Sequence, residues 1–280
     1  MVMESMEDFQ KGFEESKEVN LLKKHRITIT DKIDPPPPVL QIDNMTQFPV
    51  TIFTEGNLSV ISGKAKARKS FAVAMLTAAT VSDDWVQRKF YGVPQKKVIY
   101  FDTEQSSFFV QQAYKRIESM SNGEGITSRF YCYALRSLSV SQRIDVIDYV
   151  FKHSKKLGFV IIDGIRDLMK DINSAEESTD LTTKLMQWSE ETGAHILTVL
   201  HENPSSEKLR GHIGTELMNK AETVIGVEKM EGEEKHVSKI NCRYLRGIDF
   251  EDIYFTINQH GVPEVLSNYV APEYRTNGMQ

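Results

Sequence analysis

The segment Gly63-Lys64-Ala65-Lys66-Ala67-Arg68-Lys69-Ser70 carries the densest chemical signal in the chain. It meets the pattern G-x-x-x-x-G-K-[ST] at every position except the second glycine, where Arg68 stands. Backbone N–H groups of such a loop turn inward and wrap phosphates, helped by the N-terminus of the helix that follows. Lys69 would reach the β- and γ-phosphates and the Ser70 hydroxyl would bind Mg²⁺, so ATP with Mg²⁺ is the expected ligand. Glycine at the Arg68 position tolerates positive φ, and a larger residue held there costs on the order of 1–3 kcal/mol. The alternative is ordinary φ/ψ, with the guanidinium near the phosphates or at a subunit boundary. The bland reading of the segment is a lysine-rich strand-to-helix turn.

Three further positions complete a phosphate-transfer set. Phe159-Val160-Ile161-Ile162-Asp163 is an apolar strand ending in a carboxylate that can face the loop and hold the Mg²⁺ water shell. Phe101-Asp102-Thr103-Glu104 ends another strand, and Glu104 there can polarise the attacking water. The competing reading makes Asp102 or Thr103 a helix cap. His201, at the end of Thr198-Val199-Leu200, fits a sensor of the γ-phosphate, against a histidine merely satisfied at a strand end.

The elements that must position these residues alternate. Strands are expected at 58–62, 97–101, 130–134, 159–162 and 195–200, with helices at 70–80, 106–120, 141–156 and 179–192. Continuous β-branched runs between helices predict an α/β fold, a mainly parallel sheet covered on both faces. Segments 223–229, 236–243 and 253–258 read as strands with polar turns, an antiparallel extension at the C-terminal end. A charged arm with a helix-like stretch over 6–24 precedes Asp34-Pro35-Pro36-Pro37-Pro38, a stiff extended joint. The expected division is an arm and linker over 1–44, an ATPase domain over 45–270 and a tail over 271–280.

Composition narrows the classes. The 280 residues carry a net charge of -5 with 40% hydrophobic content, enough for one sizeable core. No run approaches the roughly 18 apolar residues of a membrane helix, and the acidic start is unlike a secretory signal, so a cytoplasmic protein is expected. Two distant cysteines, Cys132 and Cys242, exclude a disulfide framework, and no zinc spacing occurs. The acidic balance argues against a broadly basic nucleic-acid surface but is compatible with a ring whose channel alone is basic.

With these motifs in place the chain resembles the RecA-like P-loop ATPases, above all the RepA and DnaB hexameric helicases and ATPases borne on mobile elements. The resemblance spans about 45–265 and implies a homo-oligomeric ring, with a segment before the core packing on the adjacent subunit. It also implies that Glu104 activates water and that His201 is the polar residue after the fifth strand. The loop after that strand is implied to contact single-stranded DNA, through Lys208, Arg210 and His212. A basic strand near the C-terminus is implied to give an arginine finger to a neighbour, either Arg243 or Arg246.

Two functions remain open on these grounds: an oligomeric DNA motor of helicase type, or a nucleotide-gated loader acting on a protein partner with little hydrolysis. A small-molecule kinase shares the loop, but the C-terminal strands are unlike its lid.

Overall fold

The computed structural model describes residues 17–44, 48–92, 96–121, 126–203 and 209–271. Its contacts divide the chain into two units, Met1–Pro35 and Pro36–Gln280. In the first, helix α1 (Lys17–His25) is followed by a turn in which the Asp31 carboxylate accepts from the Thr28 N–H and hydroxyl, both at 2.7 Å. Residues 6–16 of the expected arm helix lie outside the described residues.

The second unit contains β1 (Pro38–Ile42), β2 (Val50–Thr54), β3 (Leu58–Gly63), α2 (Lys69–Val81), β4 (Phe90–Gly92), β5 (Lys97–Asp102) and α3 (Ser107–Met120). There follow α4 (Ile126–Arg129), β6 (Phe130–Ala134), α5 (Val140–His153), β7 (Leu157–Asp163), α6 (Ala175–Thr192), β8 (His195–His201) and α7 (Gly211–Lys220). The chain then runs through β9 (Thr223–Lys229), β10 (Ser238–Leu245), β11 (Ile253–Ile257) and β12 (Pro263–Val265). Nine strands form one sheet in the order β12-β11-β10-β9-β3-β8-β7-β5-β6. From β9 to β6 all neighbours are parallel, and β10 to β12 add antiparallel strands at the β9 side. The expected α/β architecture, parallel sheet and antiparallel extension are therefore present. One detail differs: β9 pairs in parallel with β3, so the extension begins only at β10.

β3 and β7 are buried along their whole length, as apolar runs without alternation require when both faces are covered. One core, including Val73, Leu76, Tyr100, Phe159 and Ile161, lies between the sheet and α2–α3. The other, including Val60, Phe101, Ile147, Ile162 and Leu185, lies under α5 and α6. Helix starts are fixed locally. Ser139 and Gln142 form a capping box on α5, Ser174 accepts from Glu177 N–H on α6, and Gly193 ends α6 in the left-handed region.

The small antiparallel sheet β2-β1-β4 went unread in the sequence. Its first strand opens at Pro38, inside the segment expected to be a linker, so β1 belongs to the second unit rather than to the arm. β4 lies tightly on α2: a Cβ at Gly92 would strike the backbone of Ala79 and Thr80. With α3 and the main sheet on its other sides, α2, rich in Ala and Thr, is buried almost all round.

Candidate functional site

Parallel strands deliver their C-terminal ends to one edge of the sheet, where β3, β7 and β8 end in Gly63, Asp163 and His201 of the expected set and β5 ends in Asp102, two residues before Glu104. The ladder registers align Gly63 with His201, and Asp163 with both Asp102 and Val199. A cavity of about 260 Å³ at this edge is lined by Lys66 to Phe71, Glu104, Asp163 and His201. The sequence-predicted loop, water activator, metal carboxylate and sensor are thus brought together.

The loop turns sharply out of β3. A Cβ at Gly63 would collide with the Val227 carbonyl, so the first glycine is demanded by close approach. Ala67 N–H closes the turn on Lys64 O at 3.2 Å. Arg68 stands at φ 73°, ψ 28°, in the left-handed region, and so takes the conformation that glycine takes in the motif. Its guanidinium turns away from the cavity: Nη1 donates to His236 O at 2.5 Å and lies 3.3 Å from Ser238 Oγ, with Nη2 3.5 Å from Lys235 O. The alternative of ordinary φ/ψ with the guanidinium at the phosphates does not hold, because the β9–β10 turn captures the side chain.

Lys69 opens α2 with its ammonium folded back into the loop. Nζ donates to Gly63 O at 2.9 Å and Lys64 O at 3.0 Å, and lies 3.0 Å from His201 Nδ1. An ammonium can only donate, so Nδ1 is the acceptor and the ring proton resides on Nε2. That nitrogen faces Glu104 Oε2 at 3.8 Å. Burial pulls the Lys69 ammonium below its ordinary range, opposed by Asp163, Glu104 and Glu202. The imidazole of His201 holds the Glu104 carboxyl below the usual range, against the burial that raises it. Glu104 is consequently an ionised acceptor, half-exposed at the cavity mouth.

Glu104 is held by the turn it stands on. Asp102 Oδ1 accepts from the N–H groups of Glu104 at 3.0 Å and Gln105 at 2.7 Å, and Oδ2 accepts from Gln105 Nε2 at 2.9 Å. Asp102 therefore caps this turn, while Ser106 stands at the N-cap of α3 without a side-chain cap bond. Thr103 Oγ1 lies within hydrogen-bonding reach of Asp163 O and Gly164 O. Gly164 sits at φ 100°, and a Cβ there would strike Thr103 Oγ1 and Glu104 Cγ.

Asp163 is buried and accepts from the Tyr100 hydroxyl. Burial pushes its carboxyl up to about 7, with Asp102 and Glu104 adding to the rise and Tyr100 and Lys69 opposing it. Ser70 and Asp163 line the same cavity. A hydroxyl and a buried carboxylate fit Mg²⁺, which keeps several waters and takes one or two carboxylates plus substrate phosphates. Tyr100 and Asp102 share one face of β5; the capping by Asp102 was among the readings of the sequence, whereas the bond from Tyr100 to Asp163 was not. A buried tyrosine in an apolar strand needs a hydroxyl partner, which is the signal that would have pointed to Asp163.

The remaining predicted residues lie elsewhere. Arg210 and His212 are exposed at the start of α7, and Arg210 N–H donates to His201 O at 3.1 Å. Lys208 lies outside the described residues. Arg243 sits at a bulge in β10 and pairs within its own chain, with Nη2 2.9 Å from Glu202 Oε1 and 3.3 Å from Glu228 Oε1. Arg246 is exposed, next to Leu245, which pairs with Thr223 at the start of β9. That places it at the sheet edge opposite the phosphate loop.

A family model described as an AAA domain matches residues 31–207, well over half of the chain. The match takes in Gly63–Ser70, Glu104, Asp163 and His201, while β9 to β12 lie outside it. No curated protein matches the chain. No helix among the described residues is long and apolar enough to cross a membrane.

Proposed function

The chain belongs to the AAA-domain family of P-loop ATPases, and from that premise we propose that it is an oligomeric, ATP-hydrolysing DNA motor of the RepA/DnaB type. The observation that carries this reading is the chain of contacts from Lys69 through His201 to Glu104, continued from His201 O to the N–H of Arg210. Lys69 and the loop amides would hold the β- and γ-phosphates, and Ser70 and Asp163 would hold Mg²⁺, which would supply charge neutralisation for phosphoryl transfer. Glu104, ionised, takes the proton of the attacking water. His201 reads the γ-phosphate, and its carbonyl links that state to Arg210 and His212, the described candidates for single-stranded DNA contact, with Lys208 beside them in sequence.

Arg246 fits the finger better than Arg243 does. At the far edge of the sheet it is out of reach of its own phosphate loop, and although Nη2 lies 3.3 Å from Lys220 O of its own chain, the exposed guanidinium can turn to a neighbour's loop, as a head-to-tail ring requires. Arg243 is committed to Glu202 and Glu228.

The test is ATP turnover with and without single-stranded DNA, together with size by light scattering with and without ATP–Mg²⁺. A motor accelerates on DNA and assembles, hexamers being the expected ring. Turnover indifferent to saturating DNA, with ATP-dependent assembly, selects the second reading instead, a loader acting on a protein partner. That reading is favoured by the net charge of -5 and by Arg68 in the loop. A monomer under every condition removes the role of Arg246.

A further inference from the structure

β9 and β10 form a hairpin outside the family match, and two arginines join it to the nucleotide site in opposite senses. Arg68 runs from the loop outward to the hairpin turn, reaching His236 O, Lys235 O and Ser238 Oγ. Arg243 runs from β10 inward, across β9, to Glu202 at the end of β8. Its path is open because residue 226 is glycine: a Cβ there would meet Arg243 Nε and Asn241 Oδ1.

Glu202 is a demanding partner. Its side chain is 2% exposed, and a carboxylate so enclosed requires compensation. It receives Ser62 Oγ at 2.9 Å as well as the guanidinium. Its N–H donates to Gly63 O at 3.2 Å, the carbonyl that also accepts from Lys69 Nζ. Consecutive strand residues point to opposite faces, so Glu202 is gripped beneath the sheet while His201 meets Lys69 above it. A cavity of about 530 Å³ lies between the loop and the hairpin, lined by Lys64 to Ala67 on the loop and by Val227 to Glu231 and Arg243 on the hairpin.

We propose that Arg68 and Arg243 are positioning residues that make the β9–β10 hairpin a working part of the nucleotide site. Arg68 holds the loop in a conformation its side chain would otherwise disfavour, and Arg243 sets where the strand end bearing His201 stands. The departure from glycine in the motif is on this view a tether rather than a defect. The inference rests on the ATPase reading above and adds a control element to it.

Arg68→Gly decides the matter, since glycine suits φ 73° and the variant should fold. If Arg68 were only a strained substitute, glycine would bind nucleotide at least as tightly. The tether predicts instead that Arg68→Gly weakens binding of a non-hydrolysable ATP analogue with Mg²⁺ about tenfold, the scale of one charged hydrogen bond. Hydrogen exchange gives a second readout. In the wild type the analogue slows exchange at residues 235–238 together with the loop, and in Arg68→Gly only the loop responds. Arg243→Gln lowers turnover about tenfold at nearly unchanged analogue affinity, and Arg243→Lys, which keeps a cation on Glu202, recovers most of it. Arg68→Gly binding as tightly as wild type, or a wild-type hairpin indifferent to the analogue, overturns the tether alone. A wild type that binds no analogue overturns the ATPase reading and the tether with it.

Discussion

Asp102 and Asp163 stand directly opposite one another on the neighbouring parallel strands β5 and β7, two buried carboxylates in one ladder position. They are held differently. Asp102 is occupied by turn amides, whereas Asp163 faces the cavity with the Tyr100 hydroxyl as its donor.

Asp163, pushed up to about 7 by burial, should make Mg²⁺-dependent nucleotide binding sensitive to pH. Binding strengthens from pH 6 to 8 as the carboxyl loses its proton. Tyr100→Phe removes a bond that favours the carboxylate, so the midpoint moves to higher pH. The stability of the metal-free chain runs the other way. Its folded pKa lies above the unfolded value, so stability falls as pH rises from about 4 towards 7, and Asp163→Asn flattens that slope. Analogue titrations by calorimetry across this range check the first claim; an affinity constant from pH 6 to 8 would refute it.

Lys69→Ala and Glu104→Gln should separate binding from chemistry. The first removes the ammonium that replaces loop carbonyls with phosphate oxygens, and analogue binding falls below detection. The second keeps shape and hydrogen bonding but not the base, so binding persists while turnover drops by about 10²–10⁴. Glu104→Gln turning over at the wild-type rate would show that Glu104 has no role in water activation.

Gly164→Ala tests how tightly the turn carrying Glu104 is built. The new methyl meets Thr103 Oγ1 and Glu104 Cγ at a left-handed backbone position. Turnover should fall at least about tenfold through displacement of Glu104, with analogue affinity within a fewfold of wild type. Steady-state rates beside equilibrium binding distinguish this from general unfolding.

His195 predicts acid sensitivity far from the site. It is buried between Phe53 and Phe159, its Nδ1–H donating to Thr54 O at 2.8 Å, with Glu222 nearby. Burial drives its pKa down to about 3. The unfolded chain takes up this proton near pH 6.5, so stability is full above that value and is lost as pH falls towards 3. Urea unfolding at pH 7.5 and pH 5 should differ by roughly 2 kcal/mol from this residue, a difference that His195→Gln abolishes.

The candidate site was legible where chemistry sits at the ends of apolar runs. Gly63–Ser70, Glu104, Asp163 and His201 each follow a strand recognisable by its β-branched stretch, and parallel order alone gathers them at one edge. What stayed hidden depends on contacts remote in sequence. Nothing near Arg68 announces that its guanidinium ends on His236, and nothing near Arg243 names Glu202 as its partner. Tyr100 entered the sequence reading only as part of the strand 97–101, because its hydroxyl partner lies on another strand. The β2-β1-β4 sheet escaped notice because its first strand starts at a proline, and only the close fit of Gly92 on α2 gives β4 a place to lie.

β10 begins at Ser238, beside the Arg68 guanidinium, and ends at Leu245, just before Arg246. Eight extended residues form a rod of about 27 Å that is stiffened by its pairing with β9. If Arg68 tethers the hairpin as proposed, one end would feel the state of the subunit's own triphosphate, while Arg246 stands exposed at the opposite rim. In a head-to-tail ring, such a rod would pass each subunit's occupancy to the next, and the copies would fire in sequence rather than independently.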